Sequence, residues 1–218
     1  MHLKRQMAPK SWPIYRKGTK YVVRPRVDIE RGIPVLIVLR DMLKIVQNRK
    51  EAKWAIHRKH ILLNNKPVSN DKDSVLLFDV ITLTPLKKSY RLGLAKNQKI
   101  EINEIKEKES NYKTAKIIGK KMLKGKKIQL NLSDGRNFLS NIPCNIGDSV
   151  LINFKEKKIE KCVPLREGSQ VFIFAGKHTG ERGIIEKIDS EKRMVRLDAD
   201  KKLINVLIKQ IMAVNKND

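Results

Sequence analysis

Ile33-Pro34-Val35-Leu36-Ile37-Val38-Leu39-Arg40-Asp41-Met42-Leu43-Lys44-Ile45-Val46 opens the stretch, residues 33–83, on which the reading of this chain turns. Leu39, Met42, Leu43 and Val46 fall at i, i+3, i+4 and i+7, the spacing of one apolar helix face, and Pro34 suits a first turn, where its missing N–H is not needed. Arg40 and Lys44, four residues apart, would share another face and point together at an anion. Asn48 with Glu51 three residues on is a capping-box pattern, so a second helix is expected over residues 49–58. Ala52, Ala55 and Ile56 give it a thin apolar side. Arg49, Lys50, Lys53 and His57 supply polar positions, and Arg58-Lys59-His60 adds charge where the helix ends. Ile61-Leu62-Leu63, the Asn64-Asn65 turn and Lys66-Pro67-Val68 read as a tight hairpin, and residues 75–83 as a closing strand. Helix, basic helix and strands together make a module with one cationic face.

In a protein of balanced charge such a face is ordinarily just solvated. Here 48 Lys plus Arg stand against 23 Asp plus Glu, a formal net charge of +25. A compact molecule with that surplus repels itself, which implies a polyanionic partner: nucleic acid first, an anionic membrane surface second. The longest apolar run, residues 33–39, is far short of the roughly 20 residues that span a bilayer, and the N-terminal stretch has no signal-peptide core. No membrane partner is expected. Aromatic residues are only 5% of the chain, fewer than single-strand binders use to stack bases, which favours recognition of backbone and shape in folded RNA. Cys144 and Cys162 stand alone in the sequence, form no C-x-x-C pair and complete no metal-ligand spacing with His2, His57, His60 or His178. Neither a metal site nor a disulfide framework is expected, and the compartment reads as intracellular.

Working outward, residues 1–32 form a basic arm in which His2, Lys4, Arg5, Lys10, Arg16, Lys17, Arg24 and Arg26 alternate with Trp12, Tyr15 and Tyr21. The arm has too little apolar surface to fold alone and is expected to be ordered by its partner, with cations and the Trp12 ring packing on sugars and exposed bases. Residues 84–164 read as a β-rich domain. Its basic loop carries Lys120, Lys121, Lys124, Lys126 and Lys127, and its clearest hairpin is Asp134-Gly135 between alternating strands, with Arg136 beside the turn. The acid-rich run at Glu104, Glu107 and Glu109 is a solvated face, with no nucleophile or metal partner nearby to make it catalytic. In residues 165–218, Gly176-Lys177 superficially suggests a phosphate loop. Walker A fails there, because Val171 stands where Gly is required and His178 where Ser or Thr is. The loop instead offers Lys177 and His178 at the tip of a hairpin in a small barrel.

This last segment resembles the KOW motif, with Gly183 at that motif's fixed glycine, and residues 33–83 resemble the alpha-L RNA-binding motif. Taken with His2-Leu3-Lys4-Arg5, Ala8-Pro9-Lys10-Ser11-Trp12-Pro13, Val23-Arg24-Pro25, Phe78-Asp79-Val80-Ile81, Leu130-Asn131-Leu132, Gly147-Asp148 and Ala175-Gly176-Lys177-His178-Thr179-Gly180, the chain resembles small-subunit ribosomal protein four of the archaeal and eukaryotic type, closer to the archaeal members. The resemblance implies an α+β protein with an N-terminal extended arm (1–32), an alpha-L module (33–83), a central β-rich domain (84–164) and an SH3-like KOW barrel (165–218). A short segment after Met194 and a tail without aromatic residues imply a reduced far side of that barrel. The resemblance also implies a non-enzymatic constituent of the cytoplasmic ribosome, bound to small-subunit rRNA and neighbouring ribosomal proteins, with no cofactor and no small-molecule substrate. Two other classes remain to be separated: an RNA-modifying enzyme with an alpha-L recruitment module, and a free-standing KOW-type regulator.

Overall fold

The computed structural model describes residues 2–125, 127–140, 142–189, 191–199 and 202–214. It divides into two compact units, Met1–Ala95 with Lys99–Asn111, and Lys96–Gln98 with Tyr112–Asp218. Antiparallel strands dominate both, and helices are few and short, so the architecture is mostly β.

In the first unit the N-terminal residues are not a free arm. Strand β1 (Leu3–Lys4) pairs with β2 (Tyr21–Val22), and the Arg5 guanidinium closes the loop between them on the carbonyls of Tyr15 and Thr19 and on the Thr19 hydroxyl. Leu3 and Trp12 enter the same core as the first helix, and the Ile100 N–H donates to the Ser11 carbonyl. Composition counts apolar residues; it does not show that two of them can borrow an existing core. The price of burying Trp12, 3% exposed, is an indole N–H with no acceptor among the described residues.

The expected helix over residues 33–46 is replaced by three shorter pieces. Strand β3 (Gly32–Pro34) comes first, then α1 (Val35–Ile37), which runs on as a π-helical turn over Val38–Met42. The Leu43 N–H donates to Val38 and the Ile45 N–H to Leu39, so the ladder widens instead of continuing with helical period. Every residue from 35 to 39 is buried, not one face of them, as befits a helix apolar all round. Its first donors are met from outside: Val35 and Leu36 N–H reach the carbonyls of Asp73 and Asp71.

Helix α2 (Arg49–His57) leads into β4 (Ile61–Leu63) and β5 (Lys66–Pro67), joined at Asn64 and Asn65, whose positive φ of 51° and 60° is that of the tight turn expected there. The single closing strand expected over residues 75–83 is two: β6 (Ser74–Leu76), which pairs with β3, and β7 (Val80–Leu83), which pairs with β4. Phe78, at φ 61°, turns the chain between them. A buried network fixes this break, with Asn64 donating to Asp79, Asp79 accepting the Leu76 N–H and Asn64 accepting the Val80 N–H. Strands β8 (Lys88–Leu94) and β9 (Ile100–Ile105) complete a five-stranded sheet in the order β5-β4-β7-β8-β9.

The second unit is built around β10 (Tyr112–Met122), which bends into two ladders. Residues 112–116 pair with β13 (Ser149–Asn153), and residues 117–122, beyond a bulge between Ile117 and Gly119, pair with β11 (Ile128–Leu132). With β12 (Asn137–Leu139) and β14 (Lys158–Val163) the order is β12-β11-β10-β13-β14. Gly135, at φ 82°, makes the D-G turn, and Asp134 beneath it bonds the buried Lys113 ammonium at 3.1 Å. Cys144 and Cys162, far apart in sequence, do not stand alone in space: both thiols are free and face each other beside Asp148. Burial, then the Cys144 thiol and the Asp148 carboxylate, push the Cys162 thiol up to about 12, so it stays protonated.

A second five-stranded sheet follows, in the order β18-β17-β16-β15-β19, from β15 (Gln170–Ile173), β16 (Arg182–Asp189), β17 (Met194–Ala199), β18 (Lys202–Leu207) and β19 (Ile211–Ala213). The segment after Met194 supplies β17, β18 and β19 of this sheet, with Ile211 and Ala213 buried in its core. At Gly183 a Cβ would lie 2.8 Å from the Asp198 carbonyl oxygen, so two strands approach where only glycine fits. Lys116 of β10 reaches this sheet, donating to the carbonyl of Ile208 and, at 2.8 Å, to that of Ile211.

Burial lowers Lys116 from 10.5 to about 8. Between those pH values the unfolded chain holds a proton there that the folded chain has lost, so stability rises with pH across the window and levels off below about 8, where both states are protonated. Urea midpoints of the native protein, compared with Lys116→Met, should therefore climb from pH 8 to about 10 with a slope the variant lacks.

Candidate nucleic-acid interface

The cationic residues expected to meet RNA fall into two groups once folded: those whose charge is engaged within the protein and those left to solvent. Arg5 belongs to the first through its three bonds across the N-terminal loop. Arg26 pairs with Asp73 at 2.9 Å, and Arg49 with Asp71, a carboxylate only 2% exposed, at 2.5 Å. Arg40 pairs with its neighbour Asp41. Lys44 does not share its face: at φ 54° it lies past the π-helical turn, where the helical spacing behind the expectation has ended. Arg136 sits over the Phe154 ring, 5.0 Å from its centroid, and near Asp134. Lys120 is on β10 rather than in the loop and donates to the Cys144 carbonyl. Trp12 is in the core and offers no ring to a partner.

The second group is the candidate surface. His2, Lys4, Lys10, Arg16 and Lys17 are exposed on the N-terminal segment; Arg24 is half-buried there and engaged within the protein, so it belongs to the first group. His2 meets the Tyr21 ring at 5.3 Å. Around the 123–127 turn, Lys121, Lys124 and Lys127 are exposed, while Lys126 lies outside the described residues. Lys177 is exposed on the loop after β15; His178 is half-buried, its Nδ1 3.4 Å from the Glu181 carboxylate. That loop is closed by the Gly180 N–H on the Ile173 carbonyl and the Thr179 hydroxyl on the Gly176 carbonyl.

Helix α2 gathers the densest set. Its N-terminus is capped as expected, the Glu51 N–H donating to the Asn48 side chain at 3.0 Å. The return bond differs: the Glu51 carboxylate accepts from the Gln47 N–H and the Asn48 side-chain amide. Ala52 and Ile56 turn inward, which sends Lys50, Lys53 and His57 to solvent. Arg58 follows as the C-cap, then Lys59 at φ 57°. Sequence reasoning missed the residue at the centre of this face. Trp54, two places from Ala52 on a helix, points away from the core and is 55% exposed. The Arg58 guanidinium lies 4.1 Å from its ring centroid, and His60 meets it edge-on at 5.9 Å. A tryptophan inside a basic helical stripe was the available signal.

Such a surface can hold phosphates by lysine charge, through strongly hydrated contacts. Among the described residues no group of three or more His, Cys, Asp or Glu is placed to hold a metal ion, and no helix is long and apolar enough to cross a membrane.

Known proteins bear on this surface. Residues 86–159 match the model of ribosomal family S4e, and residues 1–27 match the RS4NT (NUC023) domain. The small ribosomal subunit protein eS4 of Methanosphaera stadtmanae is 34% identical over 223 residues, covering 99% of this chain and 92% of the relative. The chain belongs to ribosomal family S4e. Another eS4, from Methanothermobacter thermautotrophicus, is 35% identical over 191 residues, covering 86% of this chain and 79% of the relative. The S4e fold is shared as well: the crystal structure of the 30S ribosomal protein S4e from Thermoplasma acidophilum aligns with a TM-score of 0.74 at 22% identity, covering 85% of this chain and 96% of that one. The family resemblance drawn from the motifs is thus correct, and the archaeal leaning agrees with these relatives.

The cap on α2 gives a direct test of how the S4e surface is held. Asn48→Ala should cost about 1 kcal/mol of stability, as loss of an N-cap acceptor ordinarily does, and show as a lower urea midpoint with an unchanged m-value.

Proposed function

We propose that this protein is a structural, non-catalytic constituent of the small ribosomal subunit that binds small-subunit rRNA, contacts neighbouring ribosomal proteins and supports subunit assembly and translation in the cytoplasm. The observation that carries the reading is the eS4 relative matched over 92% of its own length. Family membership decides against the RNA-modifying enzyme. In this reading residues 33–83 act as the alpha-L module, residues 165–218 as an SH3-like KOW barrel, residues 1–32 as the N-terminal contact segment and residues 84–164 as the central domain.

The proposed contacts are mainly phosphate contacts. Lys50, Lys53, His57 and Lys59 form the principal patch; Lys4, Lys10, Arg16 and Lys17, Lys121 at the end of β10, the turn-flanking Lys124 and Lys127, and Lys177 are further anchors. All are exposed, which supports their availability to a polyanion. Neutralising phosphates releases condensed counterions, so affinity follows salt concentration. The intramolecularly paired Arg26, Arg40 and Arg49 then serve chiefly to hold the elements that present these lysines.

Two measurements test the reading. The tagged protein should co-sediment with small subunits after a moderate salt wash, whereas a free-standing regulator would remain at the top of the gradient. If ~8 cations meet phosphates, the log-log salt slope for an rRNA fragment should be about −6 to −7. The double reversal Lys50→Glu, Lys53→Glu should weaken binding and reduce that slope by about 2 while the urea midpoint stays put. An unchanged affinity with an unchanged midpoint would remove α2 from the interface.

A further inference from the structure

We infer that Trp54 is a stacking platform for one unpaired RNA nucleobase, so that α2 reads a bulged or flipped-out nucleotide and not phosphates alone. The inference rests on the RNA-binding reading and adds the class of nucleotide recognised.

The placement of the residue is the first ground. An indole buries a large apolar surface when it can, and α2 has an inward face, occupied by Ala52 and Ile56, against the first core. Trp54 is turned to the opposite side and keeps 55% of its surface in water. Leaving that area exposed costs stability and solves no packing problem within the unit.

The second ground is how the ring is held. Arg58, one helical turn on, lies over it at 4.1 Å, and His60 sets an edge against it at 5.9 Å. The side chain that would otherwise choose among rotamers is confined before any partner arrives, which lowers the entropy lost on binding. With Arg58 against one face, half of the residue's surface is still open. A guanidinium and an indole are both flat, and either can take a base plane, since every nucleobase has a π-face.

Charge is the third ground and decides the occupant. Lys50 is one turn before Trp54, Lys53 adjoins it, and His57 follows, all exposed. A hydrophobic segment of another protein would meet an aromatic patch ringed by cations. A nucleotide brings an apolar plane and an anion about a sugar's width apart, which matches an indole beside a guanidinium on a helix that also carries exposed lysines. The base must be unpaired, because a base inside an A-form helix has its faces covered by its neighbours and its major groove closed to side chains.

The test uses the full-length protein and two synthetic RNA hairpins of equal length and charge, one with a single-nucleotide bulge and one fully paired. Trp54→Ala should weaken binding to the bulged hairpin about ten-fold, within the range for one stacked base, and leave the paired hairpin's affinity and both salt slopes unchanged. Trp54→Phe should recover most of the loss. The bulged hairpin should also quench the intrinsic tryptophan emission of the native protein but not of Trp54→Phe, in which only the buried Trp12 remains. If Trp54→Ala binds both hairpins as tightly as the native protein, or loses both equally, base stacking is overturned while RNA binding stands. If the native protein binds neither, the RNA-binding reading falls and takes this inference with it.

Discussion

The surface of this protein is shaped by where its carboxylates go. Asp71, Asp79 and Asp148 are buried, as is the side chain of Asp134, and each is committed to the fold: Asp71 to Arg49, Asp79 to Asn64 and the Leu76 N–H, Asp134 to Lys113, and Asp148 to the N–H groups of Asn145 and Leu165. Asp73, half-buried, takes Arg26 and two backbone donors. A carboxylate inside a protein must be met by donors or cations, or it is expelled or neutralised. Each one so met is no longer available to offset a surface lysine. Where the partner is a cation the surplus of +25 is unchanged, but fewer carboxylates remain among the surface lysines.

That division gives the two kinds of cation different work. Arginine, with a planar fork of donors, is used here largely to join elements: Arg5 across the first loop, Arg26 and Arg49 onto the 71–73 loop, Arg136 onto the D-G hairpin. The exposed lysines of α2, Lys50 and Lys53, face solvent and supply a diffuse field. In an S4e protein the arrangement is economical, since a field adapts to folded RNA where a rigid fork would demand one geometry. Arg58 stands between the classes, a cation held by a ring and not by an acid.

Much of this was legible in the sequence, and the failures have physical causes. The Asn64-Asn65 and Asp134-Gly135 hairpins and the Asn48 cap were readable because they are local: the residue types themselves fix the turn or satisfy the donor. The first helix was misread because a run of apolar residues carries no period that distinguishes a helix from a strand followed by a π turn, and its buried surroundings come from elsewhere in the chain. The N-terminal segment was misread for a related reason, since Leu3 and Trp12 find their partners far along the sequence. On the candidate surface the exposed lysines of α2 were legible from the positions of Ala52 and Ile56. Which arginines would be engaged was not, because an ion pair such as Arg49 with Asp71 depends on a loop 22 residues away.

One feature of the second unit bears on how the chain is made. The Lys116 ammonium finds its carbonyls 92 and 95 residues later, and β15 finds one of its neighbours in β19, the last strand described. Long-range closures of this kind are slow, because chain entropy must be given up before any contact rewards it. During synthesis the first unit has all its strands before Tyr112 appears, whereas Lys116 of β10 waits for Ile211. Until then the β15 edge is unpaired and a lysine destined for the interior stays in water. A nascent chain held at that point would present a finished first unit and an open second one, so order of emergence, as well as affinity, can set which of its surfaces meets a partner first.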